Sequence, residues 1–297
     1  MFKLSGCFTA LITPFKNGKI DFASFRKLIH FQAENGVSGI VPCGSTGEAS
    51  SLGREEYLEV IKTAIDEAAG RTQILAGAGG NNTAATAELV REVAALKPDA
   101  ILSVAPCYNK PTQEGLKAHF KAVSAAADTV PVVLYNIPGR TGVNMQPQTI
   151  ISIAKECRNV IGVKEASGSL DQVSEIVRLA NAAAGEIPQG FAVISGDDSL
   201  TVPMMSVGAS GVISVVSNIY PCETAEMCRA AANGDFKSAA AFHYKLFPAI
   251  KALFSETNPI PVKYAAYLKG IVSSPEMRLP LTEYSLEKRE QLKKNLF

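Results

Sequence analysis

The chain has 297 residues, 47% of them hydrophobic and 19% charged, with 29 Lys and Arg against 28 Asp and Glu. So much apolar mass excludes disorder, and a formal net charge of +1 excludes nucleic acid and other polyanions as the main partner. No apolar run reaches the roughly 18 residues of a membrane span, and the length suits one (β/α) barrel of about 250 residues with an appendage.

At the N-terminus, Leu4, Ser5, Gly6 and Cys7 imitate a lipoprotein cleavage box, but only three residues stand before Leu4. A secretory leader needs a basic start and about 7–15 apolar residues there, so export is not expected. The cysteines Cys7, Cys43, Cys107, Cys157, Cys222 and Cys228 form no CxxC pair, and His30, His119 and His243 lie far apart. Neither a disulfide framework nor a metal site is suggested, and reduced thiols in the cytoplasm are the expectation.

Short β-rich runs then alternate with amphipathic stretches. The predicted strands are GCFTALITPF (6–15), GIVPCG (39–44), QILAGA (73–78), AILSVAP (100–106), VPVVLYN (130–136), VIGVKEA (160–166), FAVISGD (191–197) and GVISVVS (211–217). After the first comes DFASFRKLIHFQAENG, where Phe22, Phe25, Leu28, Ile29 and Gln32 recur at helical spacing. That pattern predicts a helix with one face on the sheet, ended by Gly36.

Strands that are apolar from end to end, each followed by a helix, form either a closed barrel or an open doubly wound sheet; their number and even spacing favour the barrel. Gly77, Gly79 and Gly80 approach a dinucleotide fingerprint but fail at its last position. After about residue 235 the strands stop. Helical segments are predicted at 235–255, from Pro259 to about 273, and from Ser285. The fold class is therefore α/β, a (β/α)8 TIM barrel at 1–234 with a C-terminal helical domain at 235–297.

Chemistry in such a barrel belongs at the carboxyl ends of the strands. The second strand runs into Gly44, Ser45, Thr46, Gly47 and Glu48, where N–H groups and hydroxyls can hold a small anion or cap a following helix. The fifth ends near Tyr135, either core or catalyst, and is followed by Arg140, either a solvated loop charge or a carboxylate clamp. In the sixth, Val160, Ile161, Gly162 and Val163 lead into Lys164 and Glu165. A lysine that points into the barrel loses its proton easily and becomes an amine able to attack a carbonyl; one that reaches solvent does nothing. The seventh ends in Asp197 and Asp198, paired carboxylates that suit either a metal or, as the commoner use at a strand-to-helix junction, N-capping.

Taken together, GSTGE, APCYNKPTQEGL, VLYNIPGRTG, GVKEASG, SGDD, GVISVVSN and NPIPVK run in an order that resembles the dihydrodipicolinate synthases, of the pyruvate-dependent class I aldolase group. The resemblance covers essentially the whole chain. It implies condensation of pyruvate with L-aspartate-4-semialdehyde to 4-hydroxy-tetrahydrodipicolinate, in diaminopimelate and lysine biosynthesis, with no cofactor beyond the imine itself. It also implies a homotetramer built as a dimer of tight dimers. By the match, Lys164 is the Schiff-base lysine. Tyr135, Ser45 and Tyr108 form a proton relay, with Tyr108 reaching across the tight dimer. Thr46 holds the pyruvate carboxylate, the carbonyls of Gly196 and Ile213 line the pocket, Arg140 binds the semialdehyde carboxylate, and Asn258 stands at the pocket edge.

Two departures stand out. Ser45 replaces the usual first threonine, a form that the sialic-acid lyases share; NIPGRTG and CYNKPTQEG favour the synthases over that alternative and over keto-sugar-acid lyases. A non-catalytic barrel that only binds keto acids would have lost Lys164, Tyr135 or Tyr108, and all three are present. The second departure concerns the pocket where lysine inhibits some members. Its matching positions here are Ala49, Arg54, Tyr57, Asn81, Ala85 and Cys107, of which Arg54, Tyr57, Ala85 and Cys107 stand where two histidines, a glutamate and a tyrosine are usual. An arginine repels the ligand ammonium and Ala85 lacks a carboxylate to pair with it, so weak or absent inhibition is expected.

Overall fold

In the computed structural model, which describes residues 2–296, the apolar runs pair side by side in parallel. The barrel strands are β1 (Gly6–Ala10), β2 (Gly39–Val41), β3 (Gln73–Gly77), β4 (Ala100–Val104), β5 (Val132–Asn136), β6 (Val160–Glu165), β7 (Ala192–Ser195) and β8 (Gly211–Ser214). They close into a ring in chain order, as the (β/α)8 expectation requires. The chain's contacts fall into two compact units, Met1–Ser5 with Leu75–Ile213 and Gly6–Ile74 with Ser214–Phe297.

Within the first unit the register sets the chemistry. Val104 is level with Tyr135, Tyr135 with Lys164, and Lys164 with Ile194. Successive side chains on a strand alternate faces, so Tyr135 and Lys164 share one face while their neighbours Asn136 and Glu165 share the other. Gly162 is required by packing, since a Cβ there would stand 2.4 Å from the Ala192 carbonyl oxygen.

In the second unit β1 and β2 pair as Phe8 with Gly39, Thr9 with Ile40 and Ala10 with Val41. Gly39 has no side chain because Phe8 occupies the space; a Cβ would lie 2.1 Å from the ring. The first helix, Phe22–Glu34, buries Ser24, Phe25, Leu28, Ile29 and Gln32. Phe22 is only half-buried, the one departure from the expected face. The Asp21 carboxylate caps its start by accepting from Ser24 N, and Gly36 follows its end at φ +74°.

The first predicted strand is too long. It stops at Ala10, and Phe15–Lys16 instead pairs antiparallel with Lys19–Ile20 in a small hairpin. Asn17 and Gly18, at φ +54° and +76°, form its turn. Asn-Gly is the strongest short hairpin signal, and the apolar run before it concealed it. Past β8 the chain is helical: Pro221–Ala232, Phe236–Leu253, Ile260–Leu268 and, after a 3-10 turn at Leu286–Lys288, Arg289–Leu296. The segment expected to reach 273 ends at Leu268, with Gly270 at φ +69° just beyond.

Candidate active site

Lys164, the fifth residue of β6, is 6% exposed. Its Nζ lies 4.2 Å from the centroid of the Tyr135 ring on the adjacent strand. Burial pulls its pKa from the ordinary lysine value down to about 7; Asp198 opposes this and the Arg140 charge assists it. At neutral pH a large fraction of the side chain is therefore the free amine that nucleophilic attack needs. The solvent-reaching alternative for Lys164 is excluded by its burial.

Gly196, just past β7, leaves room for this side chain. A Cβ there would stand 2.9 Å from Lys164 Cε and 2.6 Å from Ala166 Cβ. Asp197 caps the turn Asp198–Leu200, accepting from Ser199 N at 2.9 Å, so the capping reading holds for it. Asp198 is buried and acts electrostatically on Lys164, a part the sequence did not suggest. Ile213 is a fully buried residue of β8.

On the opposite face, Glu165 anchors the strand end. Its carboxylate accepts from Asn136 Nδ2 at 3.0 and 3.2 Å, from Ser167 N at 2.7 Å and from Gln172 Nε2 at 3.0 Å. Asn144 extends the network to Asn136 and Gln172. The donors of Asn136, Ser167 and Gln172 converge on the buried Glu165 carboxylate, which ties the β5 and β6 ends together. The network fixes Asn136 and Glu165, the chain neighbours of Tyr135 and Lys164.

Arg140 is exposed, in the short helix Pro138–Thr141 that begins two residues beyond β5. Tyr108 is 88% exposed and sits at φ +71°, with its N–H donating to the Thr141 carbonyl at 3.2 Å. A large aromatic side chain held by a left-handed backbone and left in solvent is costly for a lone chain.

In the second unit, β2 leads into the hydroxyl loop. Ser45 is exposed and Thr46 buried. Neither caps a helix: the next one, Arg54–Ala68, starts behind Gly53, whose N–H donates to Glu56 Oε2. Thr13 Oγ1 donates to the Gly47 carbonyl at 2.7 Å, and Asn258 Nδ2 donates to Thr46 Oγ1 at 2.9 Å. Glu48, fully buried, is ion-paired with the fully buried Lys263 and accepts from Arg278 N. Burial lowers Lys263 to about 8, with Glu48 opposing. Lys263 also donates to the Glu276 carbonyl and stands 4.2 Å from the Phe15 ring centroid. Residue spacing concealed this pair, because 215 positions separate its members.

Of the positions matched to the lysine pocket, Ala49 lies in the turn Ala49–Ser51 and Arg54 is exposed at a helix start. Tyr57 is buried, its hydroxyl donating to the Cys43 carbonyl at 3.4 Å. Asn81, Ala85 and Cys107 are exposed.

The chain matches the dihydrodipicolinate synthetase family model over residues 3–297. It belongs to that family. The 4-hydroxy-tetrahydrodipicolinate synthase of Endomicrobium trichonymphae is 48% identical over 292 residues, covering 98% of this chain and 97% of the relative. The crystal structure of dihydrodipicolinate synthase from Aquifex aeolicus superposes with a TM-score of 0.93 at 45% identity, covering 99% and 97% of the two chains. A monomeric dihydrodipicolinate synthase variant does so at 0.94 and 41%, covering 98% and 95%.

Proposed function

We propose that the chain performs the reaction of its family, condensing pyruvate with L-aspartate-4-semialdehyde to 4-hydroxy-tetrahydrodipicolinate, with Lys164 as the nucleophile. The observation that carries this is the burial of Lys164 beside Tyr135, which favours the free amine. A sialic-acid or keto-sugar-acid lyase is not favoured, since curated relatives at 45–48% identity bear the synthase name.

The amine of Lys164 attacks the keto carbon of pyruvate, and the carbinolamine loses water to give a protonated imine. That imine withdraws electrons, so a methyl proton leaves and the resulting enamine attacks the aldehyde carbon of the semialdehyde. The semialdehyde's amino group then adds to the re-formed imine carbon and expels the Lys164 amine, which closes the ring and frees the enzyme. The imine does the work of an electron sink, so the family needs no external cofactor. Tyr135, Ser45 and Tyr108 relay the protons, Thr46 donates to the pyruvate carboxylate, Gly196 and Ile213 line the pocket, and Arg140 clamps the semialdehyde carboxylate through its planar fork.

Tyr108 serves the neighbouring subunit in a dimer of tight dimers; its 88% exposure in the single chain supports that reading. Residues 1–234 form the catalytic barrel and 235–297 the helical domain, in keeping with the last barrel strand ending at Ser214. No helix among the described residues is long and apolar enough to cross a membrane. A cytoplasmic setting is in keeping with a sequence whose cysteines form no CxxC pair. A coupled assay with pyruvate and aspartate semialdehyde tests the function: turnover supports the synthase, and turnover only of a sugar-acid substrate overturns it.

A further inference from the structure

The hydroxyl loop 44–48 is bracketed by two left-handed residues that are not glycine, Cys43 at φ +55° and Glu48 at φ +52°. Such a backbone is strained for a residue that carries a Cβ, so the loop keeps its shape only where surrounding contacts hold it. Two of those contacts come from one short segment far along the chain, Asn258-Pro259-Ile260-Pro261-Val262-Lys263, which opens the helix Ile260–Leu268. Lys263 secures Glu48 in a fully buried ion pair. Asn258, also buried, reaches Thr46 itself.

The polarity of that second contact matters. A threonine hydroxyl has one hydrogen to give and two lone pairs to accept with. Asn258 Nδ2 is the donor, so it occupies a lone pair of Thr46 Oγ1 and leaves the Thr46 hydrogen for another acceptor. A carboxylate can only accept. A threonine left free to rotate would divide its hydrogen among water and nearby carbonyls.

We propose that Asn258 is a positioning residue for the synthase reaction, fixing the Thr46 hydroxyl as a hydrogen-bond donor to the carboxylate of pyruvate. The inference rests on the role given to Thr46 under Proposed function. It makes the segment after the last barrel strand part of pyruvate recognition: Lys263 holds the loop's frame and Asn258 sets the direction of its hydrogen bond.

The test is a double-mutant cycle of Asn258→Ala and Thr46→Val, with Asn258→Asp alongside, in the full-length enzyme. The readouts are the KM for pyruvate, the KM for the semialdehyde, and the rate at which borohydride traps the pyruvate adduct at limiting pyruvate. Trapping in the unaltered enzyme comes first, and its failure would remove the functional reading itself. Given trapping, Asn258→Ala raises the pyruvate KM roughly tenfold, the size expected for a hydrogen bond to a charged group, and leaves the semialdehyde KM within about twofold. In the Thr46→Val background the same change adds almost nothing, because the group it acts through is gone. Asn258→Asp, equal in size, claims the Thr46 hydrogen for itself and places a second anion nearby, so its loss exceeds that of Asn258→Ala. Additive losses in the cycle, an equal rise in both KM values, or an Asn258→Asp enzyme with unaltered pyruvate KM would each overturn the proposal. A variant that folds poorly is recognised by its thermal transition; Asn258→Asp, which preserves shape, then decides the matter through its pyruvate KM.

Discussion

Tyr135 and Lys164 are directly opposite one another across β5 and β6, and the lysine Nζ lies 4.2 Å from the centre of the tyrosine ring. The contact has two opposed electrostatic effects. The face of the ring attracts the ammonium, while burial penalises it. Burial prevails, since the pKa falls to about 7. A substantial share of the lysine is thus the free amine near neutrality.

Gly196 lends itself to a steric test. With a Cβ at that position 2.9 Å from Lys164 Cε and 2.6 Å from Ala166 Cβ, Gly196→Ala must displace one of them. Lys164 has the flexible side chain and will move. The expected outcome is a fall of roughly a hundredfold in the rate of pyruvate adduct formation, with a loss of about 1–3 kcal/mol in urea unfolding. Trapping kinetics and an unfolding curve on the same preparation check both.

Arg140 is expected to act twice. As a carboxylate clamp it contributes to semialdehyde binding, so Arg140→Ala raises the semialdehyde KM by roughly ten- to a hundredfold and spares imine formation. As a positive charge it also helps to lower the Lys164 pKa. Removing it makes the ammonium easier to keep, so the pH midpoint of adduct formation moves up. Steady-state kinetics with each substrate varied, together with a pH series of trapping rates, separate the two effects; equal loss in both half-reactions counts against the clamp.

Lysine should inhibit weakly or not at all. Arg54 is exposed where a ligand ammonium would have to be tolerated, Ala85 presents no carboxylate, and the Tyr57 side chain is buried. Repulsion of about 1–4 kcal/mol between like charges some 4 Å apart weakens binding roughly fivefold or more. Initial rates at saturating pyruvate with millimolar lysine check this, and strong inhibition refutes it.

Much of the barrel was legible because parallel strands buried on both faces must be apolar throughout, and eight such runs stood at even spacing. Lys164 was conspicuous for the same reason, as a charge placed directly after Gly162 and Val163. What stayed hidden depends on space and not on order. The Lys263–Glu48 pair joins residues 215 positions apart, and the room that Gly196 leaves for Lys164 is visible only once β6 and β7 are adjacent. The hairpin at Phe15–Ile20 was a different kind of miss, since Asn17-Gly18 was a local signal overruled by the apolar run before it. Asp198 was read through a capping role that its neighbour Asp197 fills.

The most direct measurement is the mass of the protein after borohydride reduction with pyruvate, followed across pH and mapped by peptide. One reduced pyruvate should be found on the peptide that holds Lys164 and be absent in Lys164→Ala. Its rate of formation should rise with pH through about 7 and then level, because the amine, not the ammonium, attacks. An adduct on another lysine, no adduct at all, or a rate still climbing toward the ordinary lysine pKa near 10 would contradict the account.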